Sequence, residues 1–131
     1  MAGIIGAGVT LRGIPQPDFR FTFILDSAIV VGDIGKAVAI KPGTANTVRL
    51  AAADDLILGV LKSFEDRTIE GIKVGAVETK GGFLLNTTGT APVVGESVVG
   101  GATAGYVKVG TDSRNRVVEI PSADTAIVLI M

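Results

Sequence analysis

The chain has 131 residues, no Cys and no His, and twelve Lys and Arg against thirteen Asp and Glu. The missing Cys and His exclude a zinc finger, haem attachment, a disulfide framework, Ser-His or Cys-His nucleophilic catalysis and a histidine pH sensor. A net charge of −1 lacks the basic excess that phosphate-backbone binding draws on, so nucleic acid is not expected as a partner.

Residues 1–18 read differently from the rest. They carry Gly3, Gly6, Gly8 and Gly13, then Pro15-Gln16-Pro17, with no sustained periodicity. The prolines favour an extended path and end any helix begun before them. This stretch is expected to be an extended flexible N-terminal arm, followed by one β domain over 19–131. From Arg20 onward the chain is a series of short runs of β-forming residues. In 20–25, Phe21 and Phe23 continue a face begun by Phe19, by the two-residue period. Further strands are expected at 28–31, 36–41, 46–50, 56–64, 68–79, 83–85, 97–99, 106–109, 116–120 and 125–130. Turns are expected at Gly32-Asp33, Pro42-Gly43, Gly81-Gly82, Gly100-Gly101 and 112–115. Only 51–55 suggests a helical turn, and nothing reaches the length of an amphipathic helix. Strands and turns at this spacing predict an all-β fold, a small barrel or sandwich of short antiparallel strands with little helix.

The composition adds a constraint. Apolar residues make up 47% of the chain but aromatics only 5%, so the core must be built from Val, Ile, Leu and Ala. Eighteen glycines are roughly twice the usual share of about 7%. No stretch approaches the 18 or more uncharged apolar residues of a spanning helix, and no secretory signal is legible, so a membrane is not expected. The apolar excess is better read as surface buried against other chains. The run 56–61 is nearly uncharged and fits a strand buried on both faces, with Leu56, Leu58, Gly59 and Val60 as contacts to the barrel core or to a partner subunit. Gly59 inside it marks a bulge or a close approach of another backbone.

One internal likeness stands out. Val30-Val31-Gly32-Asp33 recurs as Val93-Val94-Gly95-Glu96, and the run from Ala53 to Leu58 recurs loosely as that from Ala123 to Val128. A duplicated half-barrel would explain this, with an inserted hairpin over 106–120. Chance likeness in a Val- and Gly-rich chain is the plainer account.

Candidate chemistry is thin. The spacing of Gly3, Gly6 and Gly8 is the reverse of a dinucleotide loop, with no strand before it. Asp54-Asp55 and Glu65-Asp66 are close carboxylate pairs, but no third acidic group completes a calcium loop. Asp33 and Glu96 read as turn formers. Lys62, Arg67, Lys73 and Lys80 alternate with Glu65, Glu70 and Glu78 as a mixed-charge surface rather than a Schiff-base site. Tyr106, the one tyrosine, reads as packing. No nucleophile, base and orienting group come together, so a non-enzyme without cofactor or metal is expected.

The order of the motifs carries a resemblance. Val-Gly-Asp at 31–33, Lys-Ala-Val-Ala-Ile at 36–40, Asn-Thr-Val-Arg-Leu-Ala at 46–51 and Ile-Leu-Gly-Val-Leu at 57–61 run in sequence. Gly-Ile-Lys-Val-Gly-Ala-Val at 71–77, Lys-Gly-Gly-Phe at 80–83, the 93–96 turn and an apolar C-terminal strand follow. Over roughly 25–131 this resembles the capsid decoration, or cement, proteins of tailed bacteriophages, the lambda-type head decoration proteins in particular. The resemblance implies a β-tulip-like domain that forms a homotrimer on the outer surface of the virion and clamps neighbouring major capsid protein subunits. It also implies an arm that orders on the capsid by strand addition, for which Ile4, Ile5, Val9, Leu11, Pro15 and Phe19 are the expected contacts. No counterpart of a large inserted head is legible. The competing reading is a receptor- or carbohydrate-binding β-module; the absence of Trp and the single Tyr argue against it.

Overall fold

The structure is a computed structural model that describes residues 20–131. It is nearly all β, with eleven strands and two single 3-10 turns at Val31–Asp33 and Thr68–Glu70 among the described residues. The expected arm over 1–18 lies outside them.

The first six strands are β1 (Arg20–Leu25), β2 (Ala37–Ile40), β3 (Thr47–Leu50), β4 (Gly59–Leu61), β5 (Glu65–Arg67) and β6 (Ile72–Glu78). They are ordered β1-β3-β2-β4-β6-β5, and β1 also pairs with β6 along its whole length, from Arg20↔Glu78 to Leu25↔Lys73. That second pairing closes a five-stranded barrel and leaves β5 as a flap on β6. Closure satisfies the ladder groups that an open sheet would leave at its edges. The pairings are antiparallel except β1–β3, which is parallel and so departs from the all-antiparallel expectation.

Alternation sorts the barrel residues. Leu25, Val38, Val48, Leu61 and Val77 fill the interior, closed at its ends by Ile29 and by half-buried Phe23, Leu50, Leu58 and Phe64. Ala37, Ala39 and Val60 point the other way into a second core, shared with Phe83, Leu85, Val117, Ala126, Val128 and Ile130. This outer core belongs to a three-stranded sheet of β7 (Gly81–Asn86), β10 (Asn115–Ser122) and β11 (Thr125–Ile130), ordered β10-β11-β7. A ribbon of β8 (Val98–Gly100) and β9 (Val107–Val109) completes the chain. Strand β10 is a sheet edge, and its register shifts on both sides of Glu119, the second shift spanning Pro121. An edge is where a residue without an N–H is tolerated.

Four sequence expectations are corrected. The segment 28–31 is no strand. Lys73 Nζ takes the carbonyls of Ser27 and Ile29, both at 2.8 Å, and the Asp33 carboxylate takes the Val30 N–H at 2.9 Å, so the backbone is held in a turn. Gly81-Gly82 is not a turn but opens β7; Gly81, with φ +134°, lets the chain pass from β6 into the other sheet after only Thr79 and Lys80. Residues 51–55 form no helical turn, because Asp54 is in the left-handed region at φ +67°. The stretch 106–120 is no hairpin, since β9 pairs with β8 and β10 with β11.

Candidate functional site

Three turns share one device. In each, the first residue gives its N–H to the carboxylate of the residue three places on, which returns its own N–H to the first residue's carbonyl. In Val30 to Asp33 the two bonds are both 2.9 Å; in Val93 to Glu96 they are 2.7 and 3.1 Å; in Ala52 to Asp55 they are 2.9 and 3.0 Å. Each carboxylate thus organises its own turn locally. Burial pushes the Asp33 carboxyl up, but the Lys36 ammonium at 2.9 Å, the Val30 N–H and the charge of Lys73 outweigh it and hold the group below its usual range. The sequence repeat is therefore a repeated turn. Both copies lead into an antiparallel pair, β2–β3 and β8–β9, but the first pair belongs to the closed barrel and the second stands apart from it.

The Val-Gly turns carry apolar side chains that the fold does not use. Val30, Val31, Val93 and Val94 are all more than half exposed, and exposed Ile34 follows the first pair. A valine pair at a rigid turn tip presents apolar surface without the entropy of a flexible loop. Ile69, at the tip of the β5 flap, is fully exposed, and Arg67 bonds Glu65 at 2.6 Å beside it.

The run 56–61 divides in two. Strand β4 begins only at Gly59; Val60 and Leu61 are buried, Val60 against the outer core and Leu61 inside the barrel. Leu58 is half-buried and Leu56 is 65% exposed, so burial on both faces does not extend to Leu56. Arg114 accounts for the break. Its guanidinium donates to the carbonyls of Ile57 at 3.4 Å, Leu58 at 3.5 Å and Thr79 at 3.0 Å, drawing 57–58 toward the β10 side. Gly59 makes the close approach that a glycine in a strand signals: a Cβ there would lie 2.9 Å from Val77 Cγ1 and press on the Glu78 carbonyl oxygen.

Where the chain at 56–58 parts from β2, the β2–β4 ladder ends at Val38↔Gly59 and a pocket of about 360 Å³ opens. Ala39 and Ile40 line one side and Leu56, Ile57 and Leu58 another, with Asp55, Asp112 and Arg114 as its charged groups. Asp55 is fully engaged by a two-pronged bond from Arg49 and by the Ala52 N–H. Asp112, only 7% exposed, receives the Arg114 N–H on Oδ1 at 2.8 Å; its Oδ2 is buried with no partner among the described residues.

The other residues singled out in the sequence fall into separate places. Asp54 pairs with Lys108 at 2.8 Å and Arg20 with buried Glu78 at 3.0 Å, while Lys62 lies over the Phe83 ring and Lys73 over that of Phe64. These contacts tie elements together one pair at a time. The arm residues Ile4, Ile5, Val9, Leu11, Pro15 and Phe19 lie outside the described residues. Sequence reasoning missed Arg114, Asp112 and Asn115. The buried Asn115 amide accepts the Val98 N–H and donates to the Val98 carbonyl, copying a peptide group between β10 and β8. The 112–115 turn was the only signal near them. No protein-family model, curated protein or solved structure matches the chain.

Proposed function

We propose that the protein is a structural subunit of a tailed-phage virion, binding the outer capsid surface as a homotrimer and cementing neighbouring major capsid protein subunits. The observation that carries this reading is the pair of carboxylate-clamped turns holding four exposed valines. They are stiff apolar projections that contribute little to either core, which is what an adhesive surface requires. The ordered motifs over 25–131 and the aliphatic composition support it as well. Affinity would come from apolar area and strand addition by the arm, multiplied by three linked copies, rather than from a reaction centre.

Co-sedimentation with expanded capsids stripped of decoration tests this. The expected result is saturable binding that Val31→Asp and Val94→Asp each weaken at least tenfold while leaving the circular dichroism unchanged. Binding of the parent chain that never saturates, or none at all, overturns the proposal.

A further inference from the structure

We propose that the pocket beside Leu56 seats the flap tip of a second copy of this chain, with Ile69 among Ile40, Leu56 and Leu58 and the Glu70 carboxylate on the Arg114 guanidinium. The two surfaces are complementary in shape. Ile69 stands fully exposed on the 3-10 turn that joins β5 to β6, and no other large apolar side chain of the described residues is as bare. The pocket is aliphatic on two walls, and its outer residues, Ile40 and Leu56, are more than half exposed. The charges match as well. Residues 65–70 carry Glu65, Asp66 and Glu70 against Arg67 alone, and Arg67 holds Glu65 at 2.6 Å but Glu70 only at 3.6 Å. Arg114 is the pocket's cation, and its guanidinium bonds main-chain oxygens rather than a carboxylate side chain. These are Thr79 at 3.0 Å, Ile57 and Met131 at 3.4 Å and Leu58 at 3.5 Å. Only the first is of ordinary length, so donors remain for a carboxylate. Of the pocket's own carboxylates, Asp55 is taken by Arg49 and Asp112 is buried.

One chain cannot make this contact with itself. The flap leaves β6 at Ile72, whereas the pocket lies beside Thr79, whose carbonyl the pocket's Arg114 holds. That length of strand sets the two ends about 20 Å apart. Knob and pocket are therefore different patches of one surface, and a contact between them is heterologous: each copy gives its flap to one neighbour and its pocket to another. Such contacts close into a ring or run on as an open chain. A ring of three is the closure that the homotrimer proposed above requires, and in that count alone the inference rests on that reading. Glu70 and Arg114 would meet at the edge of the contact, where a charge pair sets register and choice of partner more than affinity. The contact uses none of the four turn valines.

The chain has no Cys, so introduced thiols report the contact directly. Full chains carrying Ile69→Cys or Leu56→Cys, one lengthened by a tag so that the three dimers separate on a non-reducing gel, are mixed and oxidised with copper–phenanthroline. Both positions are exposed, and circular dichroism matching the parent shows that the variants fold. The expected result is a mixed dimer, position 69 of one chain joined to position 56 of the other, formed at least tenfold faster than either same-variant dimer. A chain carrying both substitutions should close into a covalent trimer. Glu70→Lys added to Ile69→Cys should slow the mixed dimer at least threefold; an unchanged rate overturns the ion pair. Same-variant dimers as fast as the mixed one, or no dimer of any kind, overturn the proposal. Ladders longer than three from the doubly substituted chain keep the contact and overturn the ring. No capsid is present, so a chain that cross-links as expected yet leaves capsids bare overturns the proposed function and not this contact.

Discussion

Asp33 shows how much one carboxylate can organise. It fixes the Val30 turn, pairs with Lys36, and is nearly buried while doing so. Because its folded pKa is held below the unfolded value near 3.8, its contribution is present above about pH 4 and is lost as pH falls through the depressed value. Asp26, lowered chiefly by the hydrogen bond from Lys41 at 2.6 Å, acts in the same direction. Acid unfolding should therefore begin near or below pH 4, and Asp33→Asn should flatten the slope there, as read by denaturant midpoints across pH 2–6. Asp33→Ala should lower stability by about 1 kcal/mol at neutral pH, the usual loss when a side-chain acceptor is removed from a turn N–H. Gly59 makes the opposite point, a residue that matters for what it lacks. Gly59→Val should abolish soluble expression or lower the melting temperature by many degrees, since the new side chain meets backbone at Glu78 rather than a flexible side chain.

At the scale of the element, most of the fold was legible. Ten of the eleven strands fall inside expected runs or within two residues of them, because glycines, prolines and acidic turn residues punctuate a β-rich chain at regular intervals. Strand β5 is the exception in kind. Its residues are charged and exposed, and it pairs only because the Thr68–Glu70 turn folds it back on β6. The run 56–61 was legible at Gly59 to Leu61 and misleading at Leu56. Five aliphatic residues around one glycine cannot announce that a guanidinium 56 residues downstream of Leu58 will take the carbonyls of Ile57 and Leu58. The pocket was illegible for the same reason, since it exists where the ladder fails. Leu61→Ala, in the barrel interior, should cost roughly 2–5 kcal/mol, and Leu58→Ala clearly less because Leu58 is only half-buried. Equal losses in urea denaturation would place Leu58 deeper than the structure does. Arg114→Ala should loosen 56–58, measured as faster amide exchange at Leu58, whose N–H otherwise bonds Val38 at 2.9 Å.

For the whole molecule, the closed barrel explains how a small chain with few aromatics holds together. One aliphatic core lies inside the barrel, and a second lies between its wall and the β10-β11-β7 sheet. What the two cores do not consume is left on the outside, at Val30-Val31, Val93-Val94, Leu56 and Ile69. The proposal that this surplus is capsid-binding surface predicts a homotrimer in the assembled state, three copies gathered about each local threefold axis. The most direct test is cryo-electron microscopy of undecorated expanded capsids mixed with the purified chain. The account predicts trimeric density on the outer surface at threefold and quasi-threefold positions, with the valine-tipped turns or the N-terminal segment against the major capsid protein. Bare capsids at saturating protein, or isolated single copies on the shell, would contradict it.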